Sequence, residues 1–98
     1  MLPLADKPMK MIEKKLTVAN QCGLHGRASA RMVEVARRFQ ADIWLVRDDA
    51  EVDCKSILDV MTMACTKGTP VMIRARGVDA EEAIEALTEL VDNKFGEE

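Results

Sequence analysis

Residues 15–40 read KLTVANQCGLHGRASARMVEVARRFQ, and two hydrophobic periods meet inside this stretch. Leu16 and Val18 alternate with Lys15, Thr17 and Ala19, the period of a strand with one buried face. Asn20-Gln21-Cys22-Gly23 then forms a loop-like polar cluster. From residue 28 to residue 40 the spacing changes: Ala28, Met32, Val35, Ala36 and Phe39 fall on one helical face, with Arg31, Glu34, Arg37 and Arg38 on the other. The segment therefore reads as strand, loop, helix, with His25 where the loop gives way to the helix.

Working outward, Ile43, Trp44, Leu45 and Val46 form a β-rich run. Arg47-Asp48-Asp49-Ala50 suits a turn, and Val52 with Cys54 suggests a return strand, giving a hairpin. Residues 56–66 predict a short helix with Ser56 as its N-cap, Asp59 three residues on, and Gly68 as a left-handed terminator. Its apolar set (Ile57, Leu58, Val60, Met61, Met63, Ala64) is wider than one face, so some members are expected to stay exposed. Val71, Ile73 and Ala75 alternate with Met72, Arg74 and Arg76 as a fourth strand. Asp79 with Glu82 resembles a capping box, opening a helix that carries Ala83, Ile84, Leu87, Leu90 and Val91 on one face and stops near Lys94 and Gly96. The order β-α-β-β-α-β-α, with one apolar face per element, predicts an α+β fold in two layers, with the helices on one side of a mostly antiparallel four-stranded sheet.

At 98 residues, 48% of them apolar, the chain has material for one core, expected over residues 13–98, with residues 1–12 as a flexible tail. Seventeen acidic residues against fourteen basic ones give a net charge of -3. Long-range attraction to nucleic acid is therefore missing, and Trp44, Phe39 and Phe95, the only aromatic residues, provide no platform for stacking bases. Pro3, Asp6 and Pro8 interrupt any apolar run at the start, so neither a secretion signal nor membrane insertion is expected. Three widely spaced cysteines, Cys22, Cys54 and Cys65, read as reduced thiols of a cytoplasmic protein.

His25 is the only histidine. A helix start offers unpaired backbone N–H groups and the positive end of the dipole, which suit a phosphate or an arriving phosphoryl group, and neutral imidazole is a nucleophile. Arg27 carries a planar fork that matches phosphate oxygens. The plainer reading is a histidine that hydrogen-bonds backbone or solvent. A metal site at Cys22 and His25 would have only two ligands, and no serine lies in a nucleophile-elbow motif. Ser56 has a secure structural role as an N-cap, worth about 1 kcal/mol.

Gly23-Leu24-His25-Gly26-Arg27, then Lys55-Ser56-Ile57-Leu58-Asp59-Val60-Met61, then Lys67-Gly68, together resemble the HPr family, the histidine-containing phosphocarriers of the bacterial phosphotransferase system. The likeness covers about residues 13–95. It implies an HPr-like open-faced β-sandwich, with three helices over one face of the sheet, and a monomeric carrier without a cofactor. It also implies that His25 accepts a phosphoryl group on Nδ1 from enzyme I and passes it to an enzyme IIA, with Arg27 stabilising phosphoryl charge. Ser56 matches the serine modified by HPr kinase/phosphorylase, and Ile57, Leu58 and Met61 match the apolar docking patch. The alternative within the same resemblance is a regulatory effector module controlled through Ser56. Gly26 and Ala28 depart from the family's usual alanine and proline, and Glu34 and Asp59 place negative charge near a face that is often basic.

Overall fold

The structure is a computed structural model and describes residues 10–97. Its elements run β1 (Met11–Thr17), α1 (Gly26–Ala36), β2 (Asp42–Arg47), β3 (Ala50–Asp53), α2 (Ile57–Thr62), β4 (Pro70–Arg76) and α3 (Ala80–Asp92), followed by a single 3₁₀ turn, Lys94–Gly96. The strands form one antiparallel sheet in the order β1-β4-β2-β3. This is the β-α-β-β-α-β-α order and the α+β, open-faced architecture expected from the sequence.

Alternation decides which face is covered. Leu16, Ile43, Leu45, Val71, Ile73 and Ala75 point to the helices and are buried. They meet Ala28, Met32, Val33 and Ala36 from α1, and Ala83, Ile84, Leu87 and Val91 from α3. The other face carries Trp44, Val46 and Met72 beside an ionic cluster in which Arg74 donates to Glu13 (2.7 Å) and Glu51 (2.7 Å). No helix among the described residues is long and apolar enough to cross a membrane.

The ends of several elements differ from the periodicity. β1 begins at Met11, two residues before the expected domain boundary, because Met11 and Ile12 pair with Arg76 and Ala75 and so extend the ladder over the full length of β4. Residues 1–9, the remainder of the expected tail apart from Lys10, lie outside the described residues. α1 starts at Gly26 and closes at Ala36, where the backbone tightens: Arg38 N–H bonds to Val35 O and Phe39 N–H to Ala36 O. α2 stops at Thr62, and the left-handed residue that follows is Ala64 (φ 49°), not Gly68. Arg47 from β2 donates to the carbonyls of Met63 (2.6 Å) and Ala64 (3.3 Å), ending the helix from outside. Gly68 instead turns the chain into β4, with its N–H on Val18 O (2.7 Å).

The expected capping box at α3 is not formed. Asp79 is the N-cap residue, yet its carboxylate turns away from the helix and accepts from Gln40 N–H (2.9 Å) and Ala41 N–H (2.8 Å). The carboxylate accepts two charge-assisted N–H bonds there, against the one that a cap would give it. The contact is close: Gly77 (φ 153°) would place a Cβ 2.6 Å from Ala41 Cα, so only glycine fits there.

The Gln40 and Ala41 N–H groups hold the Asp79 carboxyl below its usual range, the Gln40 bond being the larger cause. A depressed folded-state value contributes stability above the unfolded value of about 3.9 and loses it as pH falls through the folded value. Asp79→Ala should therefore unfold at lower urea than wild type at neutral pH. The gap should narrow as the pH falls below the unfolded value of about 3.9 and through the lower folded value. A gap that is equal at both pH values would mean that the carboxylate charge plays no part.

Candidate functional site

The site grows from the loop after β1. Val18 N–H bonds to Thr69 O (3.0 Å) and Leu24 N–H to Cys65 O (2.8 Å), so this loop is stitched to the chain leading into β4. Gly23 (φ 66°) lies so close to that chain that a Cβ would fall 2.3 Å from Cys65 O. Leu24 is buried, and Ser29, fully buried one turn into α1, donates its hydroxyl to Leu24 O (2.9 Å). His25 is thereby fixed between a pinned loop and the first turn of α1.

His25 is itself the N-cap of α1. Its backbone is extended (φ -74°, ψ -176°), and its side chain takes the place of the usual hydroxyl or carboxylate: Nδ1 accepts from Arg27 N–H at 3.2 Å. On the far side of the ring, Nε2 lies 2.7 Å from Glu97 Oε2. An Nδ1 that accepts a backbone N–H carries no proton in neutral imidazole, so Nε2 holds the hydrogen and donates it to Glu97. The ring thus presents an unprotonated Nδ1 toward the helix N-terminus. Its side chain is 34% exposed, reachable by a second molecule.

Glu97 arrives there from the far end of the sequence. Lys94 (φ 55°), Phe95 (φ 57°) and Gly96 (φ 71°) are all left-handed and fold the chain back over α1 after α3 ends. Phe95 is completely buried and its carbonyl accepts from Arg31 Nη1. Burial of this ring offsets the cost of about 1 kcal/mol or more for a bulky residue in left-handed backbone. The second carboxylate oxygen of Glu97 accepts from Asn20 Nδ2 (2.7 Å), whose amide is fully buried and also donates to Gly23 O (2.7 Å). The Asn20 bond, followed by that of His25, holds the Glu97 carboxyl below its usual range.

Gln21, Cys22, His25, Arg27, Arg31, Gly96 and Glu97 line one open cavity of about 410 Å³. Arg27 is exposed, on the same wall as the imidazole. Ser56 and the α2 residues do not line it. Ser56 caps α2, its Oγ accepting from Asp59 N–H (3.3 Å), and beside it Ile57 (38%), Leu58 (76%) and Met61 (42%) are exposed while Val60 alone in the helix is buried. Two salt-bridge-free contacts tie α2 to the end of α1: Arg37 Nε donates to Lys55 O (3.0 Å) and Lys55 Nζ to Phe39 O (2.8 Å). Of the thiols, Cys54 is pushed up to about 12 by burial and is chemically quiet, whereas Cys22 is exposed beside the imidazole.

Sequence reading placed His25 and Arg27 at this site but missed Asn20 and Glu97. Asn20 is 77 residues from its partner, and no local pattern marks either as functional.

The fold and site together are an exposed loop-to-helix imidazole on an open-faced, three-helix α+β domain. A family model described as the PTS HPr component phosphorylation site matches residues 12–93. The phosphocarrier protein HPr of Xylella fastidiosa is 42% identical over 88 residues, covering 90% of this chain and 99% of that protein. The crystal structure of HPr-C-His from Thermoanaerobacter tengcongensis superposes with a TM-score of 0.86 at 40% identity, covering 89% of this chain and 98% of that one. A phosphocarrier protein HPr from Bacillus anthracis gives a TM-score of 0.80 at 41% identity, with 83% and 96% covered. The chain belongs to the HPr family of phosphocarriers of the phosphotransferase system.

Gly26, the first residue of α1, has open space where a Cβ would stand, so its departure from the family's alanine is not forced by packing. Gly26→Ala should raise stability by about 0.5 kcal/mol, through lower unfolded-state entropy, in chemical unfolding. A loss of similar size would mean that the glycine is needed beside the ring.

Proposed function

We propose that this phosphocarrier takes a phosphoryl group on Nδ1 of His25 from phospho-enzyme I in the cytoplasm and passes it to an enzyme IIA. The observation that carries this reading is the state of the ring: Nδ1 unprotonated and aimed at the N-terminus of α1, Nε2 occupied by Glu97. When Nδ1 bonds phosphorus, it releases Arg27 N–H, and that donor with its neighbours in the first turn becomes available to the phosphoryl oxygens. The Arg27 guanidinium adds a fixed positive charge that meets charge developing on those oxygens. The chain supplies the nucleophile and its surroundings, and the activated donor and the final acceptor come from its partners.

Incubation with enzyme I and phosphoenolpyruvate should add one phosphoryl group, labile in mild acid and stable in alkali. His25→Ala should abolish uptake while keeping the fold, because the side chain contributes little core. Arg27→Ala should slow transfer more than it weakens association. An acid-stable label, or uptake by His25→Ala, would remove the reading.

Ser56 and the Ile57, Leu58, Met61 patch form the second part of the proposal: a docking surface with a negative switch operated by HPr kinase/phosphorylase. The patch is exposed and begins one residue after the cap. Phosphate on Ser56 adds nearly two negative charges at a helix start, where the dipole tolerates them, so the helix should hold. The same charge borders apolar surface that docking must desolvate, beside Asp59 in the first turn. Ser56→Asp should keep the unfolding temperature close to wild type and require a higher protein concentration for the same rate of His25 phosphorylation. Equal rates at low concentration, for Ser56→Asp and for protein phosphorylated on Ser56, would leave Ser56 as a cap alone.

A further inference from the structure

The His25 loop rests on irregular chain. Residues 63–69 connect α2 to β4, and Ala64, Cys65 and Thr66 among them belong to no helix, strand or turn. The loop is fitted against this segment without slack. Leu24 N–H bonds to Cys65 O at 2.8 Å, and at Gly23 a Cβ would fall 2.3 Å from Cys65 O and 2.8 Å from Thr66 Cα. A shift of Cys65 is therefore passed to Gly23 and Leu24, the two residues before His25. The imidazole is placed only as firmly as the Cys65 carbonyl.

That carbonyl follows a left-handed alanine. Ala64 has φ 49°, a conformation that a residue with a Cβ adopts uncommonly and that costs free energy unless its surroundings hold it. The hold comes from the sheet. Arg47, two residues beyond the buried Leu45 and so on the helix side of β2, sends Nη1 to the carbonyls of Met63 (2.6 Å) and Ala64 (3.3 Å). The peptide joining Ala64 to Cys65 is thus held by its own oxygen. The same guanidinium faces the Cys65 thiol: burial raises the pKa of that thiol, and the charge and hydrogen bond of Arg47 act the other way. One side chain from β2 meets three successive residues.

We propose that Arg47 is a positioning residue for phosphoryl transfer, placing His25 by clamping residues 63–65, the wall on which the His25 loop rests. The inference rests on His25 being the phosphoryl acceptor. Arg47 does not line the His25 cavity, so it acts through the backbone and not on the phosphoryl group. Burial of the Met63 and Cys65 side chains keeps the segment on the core, and Arg47 fixes the direction of its carbonyls. The start of α2 has separate supports in the Ser56 cap and the Arg37 and Lys55 contacts, so the proposed docking patch depends less on the clamp.

The test compares the full chain with Arg47→Ala, Ala64→Gly and the double variant. Glycine adopts left-handed backbone without strain, so Ala64→Gly should return to the double variant the stability that Arg47→Ala loses. It cannot return the clamp. The urea midpoint should fall in Arg47→Ala and recover in the double variant. Exchange of the Leu24 amide, followed by NMR against the Ile73 amide of the central strand as a report of global opening, should be about tenfold faster than in wild type in both proteins lacking Arg47. With enzyme I and phosphoenolpyruvate, kcat for phosphorylation of the chain should fall about tenfold in both, with KM changed by less than about twofold. Transfer that recovers along with stability in the double variant would make Arg47 a structural residue alone and overturn the inference, as would Leu24 exchange equal to wild type. Faster Leu24 exchange in a protein that enzyme I does not phosphorylate would uphold the clamp and remove the proposed relay instead, so the two failures are distinguishable.

Discussion

The insertion of β4 between β1 and β2 is the constraint on which the rest of this structure depends. β4 pairs along its whole length with β1 on one side and through residues 72–76 with β2 on the other, so the first strand of the sheet is held by a strand that follows some fifty residues later. Each alternate residue of β4 (Val71, Ile73, Ala75) sits under the helices at the centre of the core. Edge strands keep half their hydrogen-bonding groups unpaired, whereas a central strand satisfies both sides and so fixes the register of its neighbours.

The site inherits its position from that pairing. Because β1 and β4 are antiparallel neighbours, the loop leaving β1 meets the segment entering β4, and Val18, Gly23 and Leu24 dock on residues 65–69 through backbone bonds. Rigid backbone is what the proposed transfer needs, since the nucleophile would have to meet a phosphorus held by another protein within a narrow range of geometry. His25 stands on the last residue before a helix whose first N–H groups are open, and its own ring satisfies one of them while at rest. In the proposed transfer the resting hydrogen bond and the reacting lone pair belong to the same nitrogen, so reaction exchanges one partner for another rather than exposing an unpaired group.

The two ends of the described chain reach this loop by different physical means. The β1 side is held by ladder geometry. The C-terminal side is held by burial of one aromatic ring, Phe95, in a left-handed conformation that its packing sustains. That segment brings a carboxylate to an imidazole otherwise faced by arginines, and through Asn20 it links the loop before the helix to the turn after α3. α2 stands apart from this cavity, with its exposed apolar residues facing outward and its cap serine at one end, so the proposed chemistry and the proposed docking surface are carried by different elements.

The sequence by itself determined the order and type of the four strands and three helices, the face that most of them bury, and the candidacy of His25 and Arg27. These follow from spacing within a few residues: period two for Leu16, Val18, Val71 and Ile73, period 3.6 for Met32, Ala36, Ile84 and Leu87, and an imidazole at the junction of the two. Element ends were less legible wherever a remote group competed with a local one. Asp79 looks like a cap until Gln40 and Ala41 offer two N–H groups, and α2 looks long until Arg47 takes the carbonyls of Met63 and Ala64. Strand order, the stitching of the His25 loop to residues 65–69, and the Asn20–Glu97–His25 chain were decided only by tertiary structure. A side-chain hydrogen bond between residues 72 or 77 positions apart depends on how the whole core packs, and no local spacing encodes it.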